Sequence, residues 1–193
     1  MDIVGVGSHQ QVLLEAIKIS GNKPILELGA GDFSTQLIHS VAEGRKIITV
    51  DHNQKWLDRY AFLKSKDHSF LQVDVESTLN FYKEDNTNWG VVFVDSITWE
   101  VRMLAINKYK DTSDYLVIHD TGYSAKTGKF GKEIKLMTDK DPGLRDFSSY
   151  FKYWREYLPI NWTVNDPPTV LGSNFFNLDS VIIKMMIEIN SSE

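Results

Sequence analysis

The chain has 193 residues, of which 42% are hydrophobic and 24% charged, enough for one α/β core spanning 1–193 with no room for a second sizeable domain. It contains no cysteine, which excludes disulfides, thiolate metal sites and covalent thiol chemistry. The net charge of -5 argues against a broad phosphate-tracking surface, so a long nucleic acid is not the expected partner.

In chain order, Gln11–Ile19 reads as a helix with Leu13, Leu14 and Ile17 on one apolar stripe. A buried strand, 24–28, then runs into Gly29-Ala30-Gly31 and a helix over 34–42. Further strands are predicted at 46–50, 69–73, 91–94 and 115–118, with helices at 54–64 and 99–109 between them. Asp51, Asp74, Asp95 and Asp120 follow strands directly. In an open parallel sheet the carboxyl ends of the strands converge on the ligand, so these acids outline one polar rim, although each can equally cap the helix after it.

Beyond Asp120 the pattern changes. A Gly- and Lys-bearing stretch over 121–133, with Lys126, Lys129 and Lys132, has the composition of a lid, and 121–178 reads as an acceptor-side insertion. Phe147, Tyr150, Phe151, Trp154 and Leu158 recur at helical spacing, which predicts a helix over 146–158 with its aromatic stripe on the sheet. The apolar run 180–189 predicts a last strand. No segment has about 20 continuous apolar residues, and no basic-then-apolar leader opens the sequence, so a cytoplasmic protein is expected.

The glycine loop follows Glu27-Leu28, and Ser34 stands where a dinucleotide fingerprint would have its third glycine, which disfavours a nucleotide-dependent oxidoreductase. Glu27-Leu28-Gly29-Ala30-Gly31, with Asp51 and Asp74 after the next two strands, resembles the class I S-adenosylmethionine-dependent methyltransferases. That resemblance implies a Rossmann-like three-layer sandwich with a mostly parallel seven-stranded sheet and an antiparallel C-terminal strand. It places Gly29 and Gly31 under the amino-acid and ribose portion of S-adenosylmethionine, Asp51 on the ribose hydroxyls, and Asp74 and Val75 beside the adenine. Glu27, Ala30, Ser34, His52 and Asp95 complete the expected cofactor set.

Methyl transfer from a sulfonium needs an aligned, nucleophilic acceptor. In the same fold the fourth and fifth strands are neighbours, which would bring Asp95-Ser96 beside His119-Asp120. His119 is the first choice of base, with Asp95 and Asp120 as further catalytic residues; alternatively, the two carboxylates bind Mg²⁺. A looser resemblance, through Val94-Asp95-Ser96 and Ile118-His119-Asp120, to small-molecule and sugar methyltransferases implies a small-molecule or saccharide acceptor, with methylation at oxygen. A related module that binds cofactor without turnover is the alternative.

Overall fold

The computed structural model describes residues 7–96, 99–121, 147–160 and 167–192. Its elements in chain order are α1 (Gln10–Ile19), β1 (Ile25–Leu28), α2 (Thr35–Val41), β2 (Ile47–Asp51), α3 (Gln54–Arg59), β3 (His68–Gln72), α4 (Val75–Glu84), β4 (Trp89–Val94), α5 (Trp99–Tyr109), β5 (Ser113–His119), β6 (Tyr153–Pro159), β7 (Thr169–Ser173) and β8 (Met186–Ser191). The five N-terminal strands fall within one or two residues of their predicted bounds.

These strands form one sheet in the order β3-β2-β1-β4-β5-β7-β6-β8. The pairs β1–β2, β1–β4, β2–β3 and β4–β5 are parallel. β7 runs antiparallel to β5 and to β6, and β8 antiparallel to β6. The sheet therefore has eight strands rather than seven, and two of its strands oppose the rest.

The period-2 geometry of the strands divides the core into two layers. Leu26, Leu28, Val92, Val94, Leu116 and Ile118 face Tyr82, Ile106 and Tyr109 of α4 and α5. Ile25, Val91, Phe93 and Val117 face Val12, Leu13 and Ile38 of α1 and α2. Both faces of the central strands are apolar, as a parallel sheet covered by crossover helices requires. No helix among the described residues is long and apolar enough to cross a membrane.

Two expectations are corrected, and two elements, α4 and β7, carried no sequence-based assignment. In α4, Val75, Leu79 and Tyr82 do recur at helical spacing behind the Asp74 cap; Tyr82 packs edge-on to Tyr109 at 5.6 Å between ring centroids. The helix expected over 146–158 is instead a short 3-10 turn, Phe147–Ser149, followed by β6. Phe147, Phe151 and Trp154 still enter the core, but from a turn and a strand; the four-residue step from Trp154 to Leu158 fits period 2 as well as period 3.6. The C-terminal strand begins only at Met186, and Thr169–Ser173, which carried no sequence-based assignment, supplies the central antiparallel strand β7. Of the expected insertion 121–178, Tyr153–Pro159 and Thr169–Ser173 belong to the main sheet. The lysine-bearing stretch lies outside the described residues.

Candidate cofactor pocket and strand-end charge cluster

A cavity of about 320 Å³ opens at the carboxyl ends of β1, β2 and β4. That is within the roughly 300–1,000 Å³ typical of small-molecule sites. Gly29, Ala30, Asp51 and His52 form its polar side, and Leu28, Val50, Val73 and Val101 its apolar side. Trp56, Thr78 and Tyr82 complete the wall toward α3 and α4, and Asp95 and Ser96 close it toward β5.

The backbone of the glycine loop is dictated by its neighbour. Gly29 has φ +102°, and a Cβ there would lie 2.4 Å from the carbonyl oxygen of Asp95. Only glycine allows β1 to turn this closely across the end of β4. Asp51 then ties the loop to β2: one carboxylate oxygen accepts from the Ala30 N–H at 2.9 Å and the other from the Asn53 N–H at 2.7 Å. The oxygen facing Ala30 retains a lone pair for a ligand hydroxyl, while the other is also 3.2 Å from His52 Nδ1.

Not every predicted cofactor residue reaches this cavity. Glu27 shares its face of β1 with Ile25, so it points under α2, where it is fully buried and accepts from Thr35 Oγ1 at 3.0 Å and Thr49 Oγ1 at 2.7 Å. Gly31 and Ser34 also lie off the lining, the latter buried beneath the loop. Asp74 is exposed and caps α4, accepting from the Ser77 N–H at 2.7 Å. Val75 opens the same helix.

Burial pushes the Glu27 carboxyl up to about 7, against hydrogen bonds from Ser34, Thr49 and Thr35 that favour its charge. The folded chain therefore keeps a proton that the unfolded chain releases between about pH 4.5 and 7, and stability from this group falls as pH rises through that window. Relative to wild type, Glu27→Gln is expected to gain on the order of 3 kcal/mol between pH 4 and 8, measured by urea unfolding at both pH values. Parallel stability–pH curves for the two proteins would refute the assignment.

At the other rim, β4, β5 and α5 build a charge cluster. Arg102 of α5 is 6% exposed and reaches Asp95 at 2.9 Å and Asp120 at 3.3 Å with the same nitrogen. Its other nitrogens donate to the carbonyls of Ser96 and His119. Asp120 has φ +60°, the left-handed region that aspartate tolerates better than most residues, and its carboxylate meets Arg102 and His119 there.

His119 Nδ1 lies 3.3 Å from both Asp95 and Asp120, and its Nε2 lies 3.1 Å from Ser8 Oγ. The Ser8 hydroxyl is spent as a donor to the Pro167 carbonyl, so it accepts from Nε2. Although burial opposes its charge, the two carboxylates raise the His119 pKa. Asp95 is held at about 2: burial opposes ionisation, and His119 and Arg102 outweigh it. His9, 4% exposed, packs on Phe93 and edge-on to His119, and burial, with His119 next, holds its pKa near 3.

No known protein-family model matches this sequence, and no curated protein matches it. Solved structures do. A putative caffeoyl-CoA O-methyltransferase from Staphylococcus aureus superposes with a TM-score of 0.60 at 14% identity, over 84% of this chain and 80% of that one. The bifunctional kinase-methyltransferase WbdD gives 0.59 at 14% identity, over 94% of this chain but 40% of its own. Spermidine synthase from Thermotoga maritima gives 0.58 at 12% identity, over 91% and 62%. This chain has the class I methyltransferase fold.

Within the class I fold, β4 and β5 do meet at their carboxyl ends, so Asp95, His119 and Asp120 are brought together as expected. His119 Nε2 is taken up by Ser8 Oγ, whereas Nδ1 lies 3.3 Å from both carboxylates without meeting hydrogen-bond geometry among the described residues. An Mg²⁺ ion does not fit the Asp95–Asp120 pair, because the Arg102 guanidinium already bridges the two carboxylates. Sequence reasoning missed Arg102, Ser8 and His9. Arg102 shares its helix face with Ala105 and Ile106, three and four positions on, a signal of inward orientation; nothing local marks Ser8 or His9.

Proposed function

We propose that this chain binds S-adenosylmethionine in the cavity at the ends of β1, β2 and β4 and transfers its methyl group to an oxygen of a small-molecule or saccharide acceptor. The observation that carries the reading is the pairing of Asp51 with the Gly29–Ala30 turn in one cavity whose remaining wall is apolar. Asp51 is placed to accept from ribose hydroxyls, and Val73, Thr78 and Tyr82 to cover a flat base. The class I fold, shared with a putative O-methyltransferase, supports the same choice.

When bound, the donor supplies an already activated methyl group, so the protein's task is alignment. Asp95 is the one member of the strand-end cluster that lines the cavity apart from its neighbour Ser96. It would accept a hydrogen bond from the acceptor hydroxyl, orient that oxygen's lone pair toward the methyl group, and take up the hydroxyl proton as the methyl passes from the donor sulfur to oxygen. Arg102 and His119 stand behind Asp95, fixing its position and keeping it ionised. His119 is thus a positioning residue in this reading.

Isothermal titration with S-adenosylhomocysteine should give one site, and transfer of labelled methyl to a panel of hydroxylated acceptors tests turnover. Asp51→Ala should weaken binding about tenfold or more, since a hydrogen bond to a charged group contributes roughly 1.5–3 kcal/mol. Unchanged affinity in a folded Asp51→Ala protein would sink the ribose assignment. Tight binding without transfer to any acceptor would favour the binding-module alternative, for which the engaged state of His119 is the specific support.

A further inference from the structure

We propose that His9, Asp95 and His119 form a binding site for a borderline first-row divalent cation such as Zn²⁺ or Co²⁺. Each residue offers one ligand atom, and these atoms lie within 4.8 Å of one another. The three come from separate parts of the chain: the residue before α1, the end of β4 and the end of β5.

The independent observation is His9. It is 4% exposed, and among the described residues neither of its ring nitrogens has a hydrogen-bond partner, nor does His119 Nδ1 meet hydrogen-bond geometry. A histidine buried only for packing would leave two polar atoms unmatched beside Phe93, where phenylalanine would fill the same space without that penalty. A neutral imidazole with a free lone pair, edge-on to a second imidazole at 4.3 Å between centroids and beside a carboxylate, is a metal-ligand arrangement.

Charge and donor type select the ion. Asp95 and Asp120 carry two negative charges, and Arg102 compensates one, leaving one for a cation. Two nitrogens and one oxygen suit Zn²⁺ or Co²⁺, whereas Mg²⁺ requires oxygen ligands. Three protein ligands leave an open position, and Asp95 lines the cavity from its other side. The site does not depend on the identity of the methyl donor.

The test is a titration of the chelator-treated chain with Co²⁺ alone, followed by visible d–d absorption. One equivalent should bind with the intense bands of a low-coordinate nitrogen site, Zn²⁺ should displace it, and excess Mg²⁺ should not. His9→Phe should fold with unchanged or higher melting temperature and lose affinity at least about tenfold. His9→Gln serves as a second variant with the same expected loss. His39→Gln, which breaks the other close histidine pair at 3.0 Å to His68, should leave binding unchanged. Absence of the Co²⁺ bands in the wild-type chain overturns the proposal, as does retained affinity in His9→Phe or His9→Gln, or equal loss in His39→Gln.

Discussion

Arg102→Met is expected to destabilise the fold by about 1.5–3 kcal/mol, the cost of removing the charged hydrogen-bond partner of two partly buried carboxylates. Arg102 is 6% exposed and its carboxylate partners only 24% and 19%, so water takes over part, not all, of its role toward Asp95 and Asp120. It also donates to the carbonyls of Ser96 and His119, so the loops after β4 and β5 lose the group that clamps them together. Methionine keeps most of the aliphatic stem and removes the charge, which isolates the electrostatic effect. Adding Asp120→Asn to Arg102→Met should recover part of the loss, because one of the two orphaned charges disappears. Arg102→Lys should recover less than a full guanidinium would, since one ammonium cannot serve two carboxylates and two carbonyls together. Urea unfolding of the four proteins decides the matter: a loss under about 1 kcal/mol in Arg102→Met would show that the bridge is solvated.

Gly29→Ala is the second large effect. The left-handed backbone at φ +102° strains any side chain, by about 1–3 kcal/mol. The new Cβ would also lie 2.4 Å from the Asp95 carbonyl oxygen and 2.7 Å from its carbon, and those atoms are backbone, unable to rotate away. Relief requires β1 and β4 to separate at their carboxyl ends, which adds roughly 1–3 kcal/mol of overpacking and moves Asp95 and Ser96, both part of the cavity wall. Affinity for S-adenosylhomocysteine should fall at least about 100-fold, a change of about 2.7 kcal/mol by calorimetry. Wild-type stability and affinity in this variant would mean that the loop does not need its observed turn.

Much of the fold was legible because its signals are local. The strands from Ile25 to His119 announce themselves as apolar runs, and the glycine turn and strand-end acids follow them at fixed offsets. Legibility failed where a segment's structure depends on what it packs against. The aromatics at Phe147, Phe151 and Trp154 reach the core from a 3-10 turn, the residue stretch after it and β6 in succession, so their spacing imitates a helix that does not form. Two C-terminal strands, β7 and β8, were missed or misplaced, since β7 lies antiparallel beside β5 and no β-α-β alternation brackets it or β8.

The same division runs through the site. By itself the sequence determined the glycine loop, Asp51 beside it, and the convergence of Asp95 with His119 and Asp120, because parallel β-α-β connections place every strand's carboxyl end on one rim. Only the tertiary structure decided what those groups do. Glu27 turns under α2 because it shares a strand face with Ile25, Arg102 takes the place between Asp95 and Asp120, and Ser8 meets His119 across 111 positions of sequence. The physical reason is that a side chain's charge state and free lone pairs are set by its nearest neighbours in space, and at this site most of those neighbours are remote in the chain.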